Sequence, residues 1–216
     1  VGLGIAGLTP VTAVAALASL AASNAQAQAL LSKAATGDAS NAVRQIAVKA
    51  SWPFHREIKL LRQDPSWDHE VATVKSIALP ETGWRFRTDP KQEGHLKNFF
   101  ASGFDDSQWQ SIKIGHWESQ GVPDYDGVAW YRIKFRMPEK IDSNAVEIAF
   151  GAVDEAAWVW LNGEYLGCHD LGLEGWDQPF EVDCRKEIRW GAENVLVVRA
   201  LDSGASARAS CAGSTW

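Results

Sequence analysis

The side chains best suited to chemistry in this sequence are carboxylates in close pairs: Asp105-Asp106, Asp124 with Asp126, and Asp154-Glu155. Two carboxyls held together can divide the roles of acid and base, one keeping its proton while the other stays ionised. All three pairs stand beside turn residues, a placement that favours turn closure or solvent exposure. Asp124 and Asp126 have a further option, because hard oxygen ligands suit Ca²⁺ and the pair could join backbone carbonyls around a structural ion. No other cofactor is implied. His95, His116 and His169 are scattered without a ligand spacing, and no serine or cysteine has a recognisable base beside it. Cys168, Cys184 and Cys211 are odd in number and lack metal spacing, so they read as free thiols.

Aromatic residues give a second kind of chemistry. The chain has 11 tryptophans, and all but Trp52 and Trp67 lie from Trp84 onward. An indole fills a core well, but it also stacks on the apolar face of a sugar ring while its N–H donates a hydrogen bond. Two segments combine such rings with acceptors for hydroxyl protons. In the first, Trp117 and Tyr125 flank Gly121 and Pro123 beside Asp124 and Asp126. In the second, His169 and Glu174 approach Trp176 and Asp177 across Gly172 and Gly175. These eight residues are the candidate carbohydrate contacts. The competing role for Trp117, Tyr125 and Trp176 is to seal their loops onto the body of the fold.

The elements that must position these loops are strands. From Gly83 the sequence becomes short alternating runs separated by turn residues, the pattern of an antiparallel β-sandwich. Tyr131, Ile133, Phe135 and Met137 share one face of a strand, with Arg132, Lys134 and Arg136 on the other. Ala156 to Leu161 is apolar on both faces, as a central strand requires, and Asn162-Gly163 then makes a tight hairpin. With Val195 to Val198 the count reaches seven or eight strands. The N-terminal third is different. Val14, Leu17, Ala18 and Ala21, and again Val43, Ile46, Ala47 and Ala50, lie at helical spacing. Leu30-Leu31 recurs as Leu60-Leu61, which suggests a repeated helix pair. Asn24, Asp38 and Ser40 stand where N-caps are wanted, and Gly37 where a helix should stop. Residues 9–78 resemble HEAT repeats in the turn Gly37-Asp38 and the Val43-Arg44 and Ala47 that follow.

Composition narrows the functions. Hydrophobic residues are 46 % and charged residues 22 %, enough to build a globular core. A net charge of -6, with no Lys/Arg block, removes the source of a phosphate-tracking surface, so nucleic acid is not an expected partner. The alanine-rich stretch Val1–Ala22 contains Thr9-Pro10 and makes a poor membrane span. Its sequel Ala25-Gln26-Ala27 has the small residues of a signal-peptide cleavage site, an alternative to the helical reading.

One ordered series of motifs resembles a known family. Phe104-Asp105-Asp106-Ser107 with Trp109, Trp117-Glu118, Tyr125-Asp126-Gly127, Trp130-Tyr131-Arg132, Phe150-Gly151 with Val153-Asp154, and Trp158-Val159-Trp160-Leu161-Asn162-Gly163 follow one another. Gly167, His169, Pro179-Phe180-Glu181 and Gly191 with Glu193-Asn194 complete it. Together they are similar to the N-terminal sugar-binding domain of family 2 glycoside hydrolases, over roughly residues 83 to 203. The resemblance implies a galactose-binding-like jelly-roll sandwich. It also implies a larger polypeptide upstream and downstream, an oligo- or polysaccharide partner, and catalysis by carboxylates on a separate barrel. In that family the loop resembling 169–177 lies toward the active site. The Gly-Gly-x-Trp element that usually follows the last strand is replaced here by Asp202-Ser203-Gly204 running into Ala205.

The expected organisation is a helical segment over 1–78, a sandwich over 79–204 and an irregular tail over 205–216. The expected function is a non-catalytic carbohydrate-binding domain of an exported bacterial hydrolase. The alternatives are a protein-interaction scaffold or part of an active β-galactosidase- or β-glucuronidase-type enzyme.

Overall fold

The structure is a computed structural model, and it describes residues 9–21, 24–38, 40–54, 56–58 and 72–202. The chain divides after Pro53 into two compact units.

The first unit holds three helices, α1 (Pro10–Ala21), α2 (Ala25–Gly37) and α3 (Asn41–Ser51). Asn24 caps α2, its Oδ1 accepting from the amides of Gln26 and Ala27, and Ser40 caps α3 through Val43. Asp38 closes α2 instead of opening a helix, and its carboxylate accepts from the Ser40 amide. Each helix packs on the other two around Leu31, Val43 and Ala47. The expected HEAT-like repeat receives no support. The three short helices close on a single core, and Leu60-Leu61, which a repeated pair requires, lie outside the described residues. No described helix is long and apolar enough to cross a membrane.

The second unit is mainly β, and its named strands pair antiparallel. Its strands are β1 (Trp84–Thr88), β2 (Gln110–Ile112), β3 (Gly127–Arg136), β4 (Glu147–Phe150), β5 (Ala156–Leu161), β6 (Glu164–Asp170), β7 (Phe180–Asp183) and β8 (Glu193–Asp202). Six of them form a sheet in the order β2-β1-β3-β8-β5-β6, and β4 pairs with β7 in a second sheet. The unit begins at Phe54 and not at residue 79, because the segment 56–58 runs beside β6. There the Cys168 amide donates to the Arg56 carbonyl and the Ile58 amide to the Cys168 carbonyl, both at 2.9 Å. A Cβ on Gly167 would stand 2.8 Å from the Ile58 backbone, so glycine permits this approach. The tail expected over 205–216 lies outside the described residues.

Both faces of the large sheet carry buried side chains. On one, Tyr131, Ile133, Val159 and Leu196 pack with Ile148 and Val182 of the small sheet. On the other, Trp130 and Trp160 meet the excursion between β1 and β2. Phe100 stacks on Trp160 at 5.6 Å, and Phe99 meets the edge of Trp130 at 5.8 Å. The polar face of β3 is covered only in part, since Lys134 and Arg136 are exposed. Arg132 is fully buried beneath the excursion, its Nε donating to Asp106 at 2.8 Å and its Nη1 to the Phe99 carbonyl. Asp105 closes the adjoining turn by accepting from the Ser107 amide.

The hairpin motif is locked in the same way. Asn162 and Gly163 both have positive φ, as the turn demands. The Asn162 side chain then donates to Asn194 Oδ1 and accepts from the Val195 amide, tying the β5–β6 hairpin to the entry of β8.

Candidate functional site

Both candidate loops emerge at one end of the large sheet. Segment 117–126 leads into the start of β3, and segment 169–177 leaves the end of β6, two ends brought level through the pairings of β8 and β5. Three inter-strand steps separate β3 from β6, about 14 Å at the usual spacing. The loops thus flank one end of the domain without sharing a single cleft.

The first loop is held from within. Trp117 is 5 % exposed; its ring stacks on Tyr131 and lies against Phe86, and its indole N–H donates to the Tyr125 carbonyl at 3.2 Å. Its faces are covered by neighbouring rings, so it braces the loop and offers no open face for stacking. Tyr125 is half-buried, folds back over Gly127 and donates its hydroxyl to the Val128 carbonyl at 2.7 Å. Burial pushes that phenol up to about 12. Asp124 and Asp126 are exposed, Asp124 with φ at 56°. They remain available to solvent, but their carboxylates belong to no group of three ligand-bearing side chains among the described residues.

The second loop is open. Glu174, Trp176 and Asp177 are exposed, Trp176 at 37 %. Beside them Leu171 is 52 % exposed, so the loop presents an apolar ridge edged by carboxylates. Asp177 accepts from the Gln178 side chain at 2.6 Å. The loop's height is set by Gly175, which is buried; a Cβ there would stand 2.8 Å from the Glu155 carbonyl and 3.2 Å from Leu171. His169 turns inward and stacks on Phe180 at 4.3 Å. Burial keeps its imidazole below the ordinary histidine range, and it serves as a loop anchor.

Between the two loops lies a cluster that sequence reasoning placed differently. Asp154 and Glu155, expected to cap a turn or face solvent, are 7 % and 4 % exposed, and Asp202 at the end of β8 joins them at 6 %. Their carboxyl oxygens lie within 4.8 Å of one another. Burial, a hydrogen bond with Glu155 and the charge of Asp202 push the Asp154 carboxyl up to about 8. On the opposite face of β8, Arg199 is 3 % exposed, lies over the Trp158 ring at 4.2 Å and donates to Gln92 at 3.0 Å. Its burial lowers the guanidinium to about 10. Asp89 was also missed. Its carboxylate accepts from the amides of Glu93 and Gly94 and from the Trp130 indole, fixing the excursion to the sheet. The one sequence signal for these residues was the presence of Arg199 and Asp202 after the apolar run Val195–Val198.

Residues 51–207 match the family described as glycosyl hydrolases family 2, sugar binding domain. The chain belongs to that family. Among curated relatives, a β-galactosidase of Thermoanaerobacter pseudethanolicus is 30 % identical over 115 residues, 50 % of this chain and 15 % of the relative. A β-glucuronidase of Formosa agariphila is 26 % identical over 156 residues, 70 % of this chain and 13 % of the relative. The chain therefore spans less than a fifth of the length of either. The solved β-glucuronidase of Ruminococcus gnavus superposes with a TM-score of 0.53 at 20 % identity, over 62 % of this chain and 22 % of that one. A family 2 member from Bacteroides cellulosilyticus does so at 0.52 and 23 % identity, over 66 % and 20 %. At those identities the superpositions speak for the shared fold.

The family motifs now have physical roles in this chain. Asp106 neutralises buried Arg132, Asn162 and Asn194 lock a hairpin, and Gly127 admits the Tyr125 ring. They build the fold of the domain.

Proposed function

We propose that this sugar-binding domain holds an oligo- or polysaccharide at the strand end carrying residues 170–178, and that it does so without catalysis. The observation that carries this reading is Trp176, an exposed indole edged by Glu174 and Asp177 on a loop seated against the domain by Gly175. A pyranose stacks its apolar face on such a ring, and the neighbouring carboxylates accept its hydroxyl protons. Asp124 and Asp126 extend the acceptor surface along the same end.

Retaining hydrolysis needs two carboxyls about 5 Å apart with a sugar between them. Asp154, Glu155 and Asp202, a close cluster of carboxyls among the described residues, are buried together and leave no room for one. We assign hydrolysis to a barrel elsewhere in a larger, exported β-galactosidase- or β-glucuronidase-type protein, to which this galactose-binding-like jelly roll contributes binding. A supporting role within that protein is the second reading, favoured by the enclosure of Trp117 and Tyr125.

Calorimetric titration of the chain with plant and algal oligosaccharides tests the proposal. A response lost in Trp176→Ala, with thermal unfolding unchanged, is the expected result. A folded wild-type domain that binds no sugar assigns it to support of the barrel.

A further inference from the structure

The ridge that carries Trp176 has a second apolar member, and it narrows the kind of sugar the loop can hold. Leu171 is 52 % exposed and Trp176 37 %. A lone exposed leucine is ordinary on a protein surface. Here the leucine and the indole belong to one turn whose backbone is fixed. Asp170 Oδ1 accepts from the Gly172 amide at 3.2 Å, and Gly172 takes a φ of 60°. The Gly175 amide donates to the Gly172 carbonyl at 2.9 Å, and the Gln178 amide to the Gly175 carbonyl at 3.1 Å. Gly175 is buried, and a Cβ on it would stand 3.2 Å from the Leu171 Cβ, so the leucine lies against the residue that precedes the indole. Two apolar side chains are thus held side by side in the open.

A pyranose stacked by its apolar face on an indole sends its exocyclic carbon outward past the edge of the ring. In fucose and rhamnose that carbon is a methyl group; in galactose and mannose it is a hydroxymethyl. Against Leu171 a methyl leaves water at a gain, whereas a hydroxyl gives up water for a side chain that neither donates nor accepts. The ring hydroxyls, which both classes share, meet Glu174 and Asp177. We infer that the loop 170–178 is a subsite for deoxyhexoses, with the pyranose on Trp176 and its methyl group on Leu171. This inference rests on the sugar-binding reading of the same loop and specifies its ligand.

Two matched pairs isolate the one group: methyl α-L-fucoside against methyl α-L-galactoside, and methyl α-L-rhamnoside against methyl α-L-mannoside. Each glycoside is titrated into the full chain carrying 5-fluorotryptophan, with fluorine NMR following the Trp176 resonance, assigned by its loss in Trp176→Ala. In at least one pair the deoxy sugar is expected to bind at least about fivefold more tightly than its counterpart, a step of about 1 kcal/mol. Its methyl protons should receive the strongest saturation transfer from the protein. Leu171→Ser should abolish that preference without moving the thermal midpoint, because the side chain is exposed. Equal affinities within both pairs, or a preference that survives Leu171→Ser, overturns the inference and leaves the sugar site standing. An unmoved Trp176 resonance with all four glycosides also overturns it, and the sugar site itself falls only when the oligosaccharides of the preceding titration give no response either.

Discussion

Replacing Asp154 by asparagine removes the proton from the buried carboxyl cluster while leaving its local geometry nearly intact. Asn keeps the Oδ1 that accepts from the Glu155 amide at 3.0 Å, and among L residues it is one of those that best tolerate the positive φ of 20° found there. In the wild type the Asp154 carboxyl moves from 3.8 to about 8, chiefly because burial disfavours its charge. A carboxyl whose folded pKa lies above its unfolded one binds its proton more tightly in the folded chain. Its contribution to stability is therefore complete below pH 4 and lost as pH rises through about 8. Between pH 5 and pH 8.5 that linkage amounts to about 4 kcal/mol as a ceiling, since each tenfold gain in proton affinity on folding is worth about 1.4 kcal/mol. His95 and His169, both lowered by burial, slope the other way at the acid end of this window. They do so in both proteins and cancel in the difference. Urea unfolding followed by tryptophan fluorescence at four pH values measures the effect. The wild type should lose about 2–4 kcal/mol more than Asp154→Asn across the window. Parallel pH profiles for the two proteins would refute the reasoning and show that the cluster relaxes or takes up water on ionisation.

Three further outcomes follow from the packing. Asp106→Ala leaves the fully buried Arg132 guanidinium without its carboxylate and should cost about 3–5 kcal/mol in chemical denaturation, and Arg132→Lys alone should also destabilise, because the ammonium lacks the planar fork that reaches Asp106 and the Phe99 carbonyl together. Trp117→Ala should destabilise by about 3–5 kcal/mol, whereas Trp176→Ala should stay within about 0.5 kcal/mol, a contrast that differential scanning calorimetry resolves directly. Gly175→Ala must push its loop off the Glu155 carbonyl, so any sugar response should weaken severalfold in titration while the global unfolding midpoint moves little.

Much of the β unit was legible in the sequence because its signals are local. Strand alternation, the double-sided apolar runs of β5 and β8, and the Asn162-Gly163 turn each depend on neighbours a few residues away. What stayed hidden depends on chain segments meeting from afar. Whether Arg132 is solvated or buried is decided by the excursion carrying Phe99 and Asp106, 33 and 26 residues distant. The start of the unit at Phe54 was missed for the same reason, since the segment 56–58 contributes only an isolated bridge to β6 and shows no alternation of its own. At the candidate site, residue type identified Trp117 and Trp176 equally well. Only the covering of Trp117 by Phe86 and Tyr131, and the seating of the Trp176 loop on Gly175, tells them apart.

The abundance of tryptophan is therefore a poor guide to sugar binding in this domain, and the reason is architectural. A six-stranded sheet whose partner sheet has only two strands leaves its second face to be covered by an irregular excursion. An irregular segment interdigitates less regularly than a sheet, so large flat rings do the filling: Trp109, Trp130, Trp158 and Trp160 are all at most 8 % exposed. Rings consumed in this way cannot meet a ligand. Among the described tryptophans, Trp176 and Trp190 remain partly accessible, one at each end of the strands. Of the two, Trp176 stands on the open, carboxylate-edged ridge that the proposed sugar site requires.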